Sequence, residues 1–199
     1  YVFRWTEVNG ASLCSDFDEI TVRFWESPSA SVAGSDQTLC NTSIFTMAAT
    51  PPAVGTGTWA YVSGFAGITI TNPNLATTTV TGLTAGNSVT LSWTISNGPA
   101  CAPTSSTVTL TNDIQPVADA GSGGDECDLD FVLNATASVG TGTWTLQSGP
   151  GSIVTILPNA NDPDAVVSVD AYGSYVFRWT EVNGASLCSD FDEITVRFW

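Results

Sequence analysis

Along residues 89–96 the apolar side chains Val89, Leu91, Trp93 and Ile95 alternate with Thr90, Ser92, Thr94 and Ser96. This two-residue period belongs to a strand with one buried face. The same period sets Tyr175, Phe177 and Trp179 inward and Val176, Arg178 and Thr180 outward, so these aromatic rows read as packing rather than as a platform for a ligand. Short runs of this kind, bounded by Gly, Pro, Asn and Asp, recur along the chain, and apolar residues at helical spacing do not. Strands are predicted over residues 37–40, 43–48, 57–62, 68–71, 77–80, 89–96 and 106–111, the pattern of a seven-stranded antiparallel sandwich.

A second such set follows the first. GTGTW at 55–59 returns at 140–144, Trp93 followed by Asn97-Gly98 answers Trp179 followed by Asn183-Gly184, and the 61-position spacing of Cys40 and Cys101 equals that of Cys127 and Cys188. Trp59 and Trp144 fall on the strand beside Trp93 and Trp179, giving each domain a pair of indoles for its core. A longer repeat lies over this one: residues 1–25, YVFRWTEVNGASLCSDFDEITVRFW, recur unchanged at 175–199, a period of 174. The expected organisation is therefore a last hairpin of a preceding repeat copy at 1–25, a sandwich domain A at 26–114 and a second, domain B, at 115–199. The hairpin joins a strand from Tyr175 to a strand ending at Phe198 through a turn on Asn183-Gly184. The 199 residues then read as a window in a longer tandem array, with any leader upstream. Trp25 and Trp199, at the hairpin end, pack either at a junction or in a core.

Composition narrows the chemistry. Lys and His are absent, the only bases are Arg4, Arg23, Arg178 and Arg197, and the formal charge is −15. Nucleic acid is excluded as a partner, because phosphate binding needs clustered cations. Schiff-base chemistry, an imidazole base, a His zinc ligand and a Lys-to-Asn isopeptide cross-link are excluded with them. No run of 18 apolar residues is present, so no membrane span is expected. Charge is uneven: residues 27–114 carry only Asp36 and Asp113, whereas residues 115–199 carry twelve acids and two Arg.

Five cysteines, without CxxC spacing or His, indicate disulfides and an extracytoplasmic home. Pairs Cys40–Cys101 and Cys127–Cys188 are preferred, since one bridge per small secreted domain is the commoner device. Strand labels argue the other way: they put Cys40 and Cys101 at opposite ends of a strand of roughly 20 Å, while a disulfide needs Cα atoms within about 7 Å. On that reasoning the bridge runs across domains, Cys40 to Cys188. The partner of Cys14 lies outside the window.

Acidic groups gather at Asp125, Glu126, Asp128 and Asp130, at Asn161, Asp162 and Asp164, and at Asp190, Asp192 and Glu193. Hard oxygen ligands in a loop suit calcium, and Asn161, Asp162 and Asp164 are the candidate site; no other cofactor is expected. None of the groups has the spacing of a dedicated calcium loop, and the alternative is a solvated face that keeps the protein soluble. Asp190 and Asp192 form a carboxylate pair of the kind a glycosidase uses, but no long loop builds a pocket beside them, so no enzyme is expected.

DQTLC at 36–40, GTGTW, the segment VTGLTAGNSVTLSWTISNGPAC at 80–101 and DAYGSYVFRWTEVNGASLCSDFDEITV at 170–196 together resemble the immunoglobulin-like and PKD-like tandem repeats of secreted or cell-surface adhesin-type proteins of Bacteroidota-like bacteria. The resemblance covers both domains. It implies an all-β fold, an extracellular or cell-surface location, no catalytic residues, and a structural role in a filament or adhesin stalk whose partners are copies of itself, with a surface glycan or receptor as a further partner. The alternative is a carbohydrate-binding or other ligand-binding accessory module, which needs aromatics on an outward face.

Overall fold

The computed structural model describes residues 1–11, 13–151, 154–184 and 188–199. Among them there is no helix, and the chain forms tandem immunoglobulin-like β-sandwiches.

Residues 2–21 form an isolated antiparallel hairpin of β1 (Val2–Val8) and β2 (Ser15–Thr21). Domain A follows with β3 (Gln37–Cys40), β4 (Ile44–Thr46), β5 (Thr56–Gly64), β6 (Thr69–Ile70), β7 (Thr79–Thr81), β8 (Asn87–Ser96) and β9 (Thr104–Asp113). They make a four-stranded sheet in the order β3-β9-β8-β5 and a three-stranded sheet β4-β7-β6. Domain B repeats the plan with β10 (Gly124–Glu126), β11 (Asp130–Val132), β12 (Thr141–Ser148), β13 (Val154–Leu157), β14 (Val166–Val169), β15 (Gly173–Asn183) and β16 (Cys188–Phe198), in sheets β10-β16-β15-β12 and β11-β14-β13.

Each first strand runs parallel to the last strand of its domain: Cys40 stands opposite Asp113, and Glu126 opposite Phe198. The end of the first strand therefore lies where the chain leaves the domain. Every other pairing is antiparallel.

Alternation decides which side chains enter the cores. On β8, Val89, Leu91, Trp93 and Ile95 are buried, and on β15 Tyr175, Phe177 and Trp179 are, as their period requires. Trp59 pairs with Trp93 and Trp144 with Trp179 across neighbouring strands, ring centroids 5.1 and 5.3 Å apart. An indole buries about 150–250 Å², so at about 25 cal/mol per Å² each contributes about 4–6 kcal/mol of burial free energy.

GTGTW builds this arrangement twice. Gly55 and Gly140 take φ of +97° and +86°, which a side chain resists. A Cβ at Gly57 would lie 2.0 Å from the Trp93 ring, and one at Gly142 would lie 1.8 Å from Trp179. The second glycine of the motif is thus the floor on which the neighbouring indole rests.

Candidate interaction sites: the leading hairpin and the domain ends

The 25 residues that occur twice are seen in two environments. In both, the strand register is the same, with Val2 opposite Thr21 and Val176 opposite Thr195. The outer faces agree in detail. Arg4 donates to Glu19 at 2.7 Å and lies 4.1 Å from the centre of the Phe17 ring; Arg178 donates to Glu193 at 2.8 Å and lies 4.0 Å from that of Phe191.

The inner faces differ completely. Trp179 is 1% exposed and Phe198 1%, inside the domain B core, while Trp5 is 71% exposed and Phe24 70%. Tyr1, Phe3 and Ile20, the counterparts of buried Tyr175, Phe177 and Ile194, are exposed too. A row of apolar side chains on one face of an unpaired hairpin is the kind of exposed patch that marks an interaction surface, and a two-stranded hairpin is marginally stable on its own.

Two domain ends are built alike. At the entry to domain A, Asn97 Nδ2 donates to the Glu26 carbonyl at 2.8 Å, and Gly98 (φ +69°) lies against Trp25 so closely that a Cβ would be 2.1 Å from the indole. At the entry to domain B, Asn183 Nδ2 donates to the Ile114 carbonyl at 2.8 Å, and Gly184 (φ +63°) lies against Asp113, where a Cβ would be 2.4 Å from the carboxylate. Gln115 Nε2 adds a bond to the Ser189 carbonyl at 2.7 Å. In each case the Asn-Gly turn of the domain's last hairpin grips the linker that leads into that domain. The sequence marks Asn-Gly as a turn; that the turn also docks on the linker requires the fold.

The cysteines follow this geometry. Cys40 is bonded to Cys188 across the A–B junction, with Cα atoms 5.5 Å apart, so the preferred pairs Cys40–Cys101 and Cys127–Cys188 are not the ones present. The reason is the parallel first strand. Cys40 sits at the exit of domain A, whereas Cys101 precedes β9 at the entry, and the ten residues of β9 separate the two ends by about 30 Å. Cys188, in the hairpin that meets the exit of domain A, is the residue within reach. Cys14, Cys101 and Cys127 are thiols.

Two of the acidic groups make structural hydrogen bonds. Asp190 and Asp192 accept backbone N–H bonds from Ala118 (3.1 Å) and Ala120 (3.0 Å), holding the incoming chain of domain B against β16. Asn161 Nδ2 donates to the Gly142 carbonyl (2.7 Å) and to Thr143 Oγ1 (2.8 Å), and Asp162 Oδ1 accepts the Asp164 N–H (3.0 Å). The turn that carries Asn161, Asp162 and Asp164 is thus braced on β12 by its own side chains. Among the described residues no three His, Cys, Asp or Glu side chains are grouped as metal ligands.

Among the described residues one carboxylate is buried, at a position that its residue type does not mark. Glu181 lies in the domain B sheet and accepts N–H bonds from Ser138 (2.9 Å), Val139 (3.3 Å) and Trp179 Nε1 (3.0 Å), together with the Ser138 hydroxyl. Burial pushes its pKa up, but these donors outweigh burial and hold it below the usual carboxylate value.

No known family's sequence profile matches the chain, and no curated protein matches it. Among solved structures it is similar to extracellular domains 3–5 of Drosophila OTK, at 11% identity and a TM-score of 0.61, over 95% of this chain and 68% of that one. It is also similar to immunoglobulin domains 1–5 of Sidekick-1, at 12% identity and a TM-score of 0.57, over 98% of this chain and 45% of that one. At these identities the likeness concerns the fold: this chain has the architecture of tandem immunoglobulin-like domains. No helix among the described residues is long and apolar enough to cross a membrane.

Proposed function

We propose that this chain is a segment of an extracellular filament or adhesin stalk, in which two-domain units A-B follow one another with a period of 174 residues. In this reading residues 1–25 are the closing hairpin of a preceding domain B, and the filament's main partner is the next copy of the unit. The carrying observation is the pair of identical hairpins. One supplies the core of a sandwich, while the other has the same register and outer face and lacks the sandwich beneath it. Trp25 adds to this: it lies against Gly98 of domain A and is 37% exposed, whereas its copy Trp199 is 64% exposed.

A stalk needs neighbour-to-neighbour contacts that repeat, and the gripped linker and cross-domain disulfide are contacts of that kind. The likeness of DQTLC, GTGTW and the Cys-bearing hairpins to repeats of bacterial surface adhesins favours the same role. Electron micrographs of the native material test it. Long thin fibres with an axial repeat of about 70–90 Å, two domains of about 35–45 Å each, are expected; compact isolated particles would refute it.

A further inference from the structure

We infer that Cys127 of one unit is joined by a disulfide to Cys101 of the next, so that every domain junction of the array carries a covalent staple. The inference rests on the tandem reading above and assigns a bond within it. The A–B junction supplies the template. Cys40 ends β3, the strand that finishes at the exit of domain A, and Cys188 opens the hairpin strand at the entry of domain B. Cys127 follows β10, which ends at the exit of domain B with Glu126 opposite Phe198. Cys101 stands in the turn before β9, at the entry of domain A.

The exit residue of B and the entry residue of A are therefore counterparts of a bonded pair. Cys127 is exposed at the end of the chain's last domain, beside a terminal backbone bond from Trp199 N–H to the Glu126 carbonyl (2.9 Å). Cys101 is directed at the linker entering domain A, its sulfur 3.7 Å from the Trp25 carbonyl oxygen and 3.4 Å from that of Glu26. In the tandem reading the β10 of the preceding domain B brings a Cys127 copy to this entry, within reach of Cys101. The entry is otherwise formed: the Asn97 bond to Glu26 has the same 2.8 Å length as the Asn183 bond to Ile114. Cys14, a copy of Cys188, belongs by the same logic to the junction before it.

The chemistry balances with a disulfide oxidant. Each thiol gives up its proton, the two sulfurs bond with net loss of two electrons, and an oxidised glutathione-type disulfide takes both electrons and both protons to leave as two thiols.

The test uses the chain extended by one further copy of residues 26–199. In the forward variant Cys14→Ser, first-copy Cys101→Ser and second-copy Cys127→Ser leave first-copy Cys127 and second-copy Cys101 at the central junction. The reversed variant retains the opposite two. After exposure to glutathione buffer, unreduced peptide mapping should show the Cys127 and Cys101 peptides linked in the forward variant, with loss of both alkylatable thiols, and both thiols free in the reversed one. The Cys40–Cys188 link in each copy reports correct folding, and alanine in place of serine provides a second set should serine disturb it. Small-angle scattering separates the two levels of the argument. An elongated particle whose forward-variant thiols remain free overturns the staple and leaves the tandem reading standing; a particle in which the units collapse on one another overturns both.

Discussion

The most direct test of the packing is a single methyl group at the second glycine of GTGTW. Gly57→Ala would set a Cβ 2.0 Å from Cζ2 of Trp93 and 2.4 Å from Cη2, where ordinary contact begins at 3.4 Å. The indole must therefore retreat by about 1.4 Å. It has nowhere to go: Trp93 is buried beside Trp59 in the domain A core, and its Nε1 donates to the Thr50 carbonyl at 3.3 Å. Overpacking of this kind costs about 1–3 kcal/mol, and loss of the indole bond adds about 1 kcal/mol. A destabilisation of about 2–4 kcal/mol is expected for domain A. For a domain of this size, 1 kcal/mol shifts Tm by about 4–8 °C, so the domain A transition should fall by about 10 °C or more. Calorimetry of the whole chain, with hydrogen exchange to assign each transition to its domain, reads the effect. Thr56→Ala, one residue away on the exposed face of β5, should cost under about 1 kcal/mol. A Gly57→Ala protein within about 0.5 kcal/mol of the parent would refute the claim that the indole rests on a bare backbone.

Glu181 predicts a pH response. Because its folded pKa lies below the ordinary value, its contribution is complete above the unfolded pKa near 4.3 and is lost as pH falls through the folded pKa. Glu181→Gln should cost domain B about 2 kcal/mol at neutral pH and flatten the acid limb of its stability curve, measured by denaturant unfolding from pH 6 to pH 3; Glu7→Gln in the exposed copy should do neither. Gly184→Ala, which drives a Cβ to 2.4 Å from the Asp113 carboxylate at positive φ, should loosen the A–B junction, whereas Gly10→Ala, with nothing within 4 Å, should not; proteolysis of the 113–116 linker distinguishes them. Cys188→Ser should free the Cys40 thiol and lower the cooperativity between the two domain transitions in calorimetry, while leaving both sandwiches folded. Placing a copy of residues 115–174 ahead of Tyr1 should slow exchange of the β1 and β2 amides and blue-shift Trp5 emission, since the bare face then gains the core that covers Tyr175, Phe177 and Trp179.

The strand plan and the core were readable in the letters because alternation at a period of two is a local property. Val89 to Ile95 and Tyr175 to Trp179 needed no tertiary information to be set inward. GTGTW showed that two domains share a plan, though not that Gly57 and Gly142 carry indoles, because that contact joins residues far apart in sequence. The disulfide was legible in part: strand labels set Cys40 and Cys101 at opposite ends of domain A and pointed to Cys188, the bridge the structure has, whereas the preference for one bridge per domain pointed to the wrong pairs. The parallel pairing of β3 with β9, which periodicity does not reveal, is what holds Cys40 at the exit. Glu181 escaped notice for a related reason. It stands in phase with Tyr175, Phe177 and Trp179, and only the Ser138 and Val139 N–H groups, brought from another segment, make a buried carboxylate tolerable there.

The hairpin at residues 175–199 serves more than one contact. A closing hairpin meets three neighbours at once. Its inner face, Tyr175, Phe177 and Trp179, fills its own domain's core, and its turn, Asn183 and Gly184, grips the linker leaving the domain before. Its end, as Trp25 shows against Gly98, meets the domain after. A substitution that suits one neighbour must also suit the other two, and two of those contacts leave no room for a methyl group. The bare copy at residues 1–25 keeps the Arg–Glu and Arg–Phe contacts of its outer face: the hairpin geometry is written locally in its own residues, and what packs beneath it decides whether its inner face is covered.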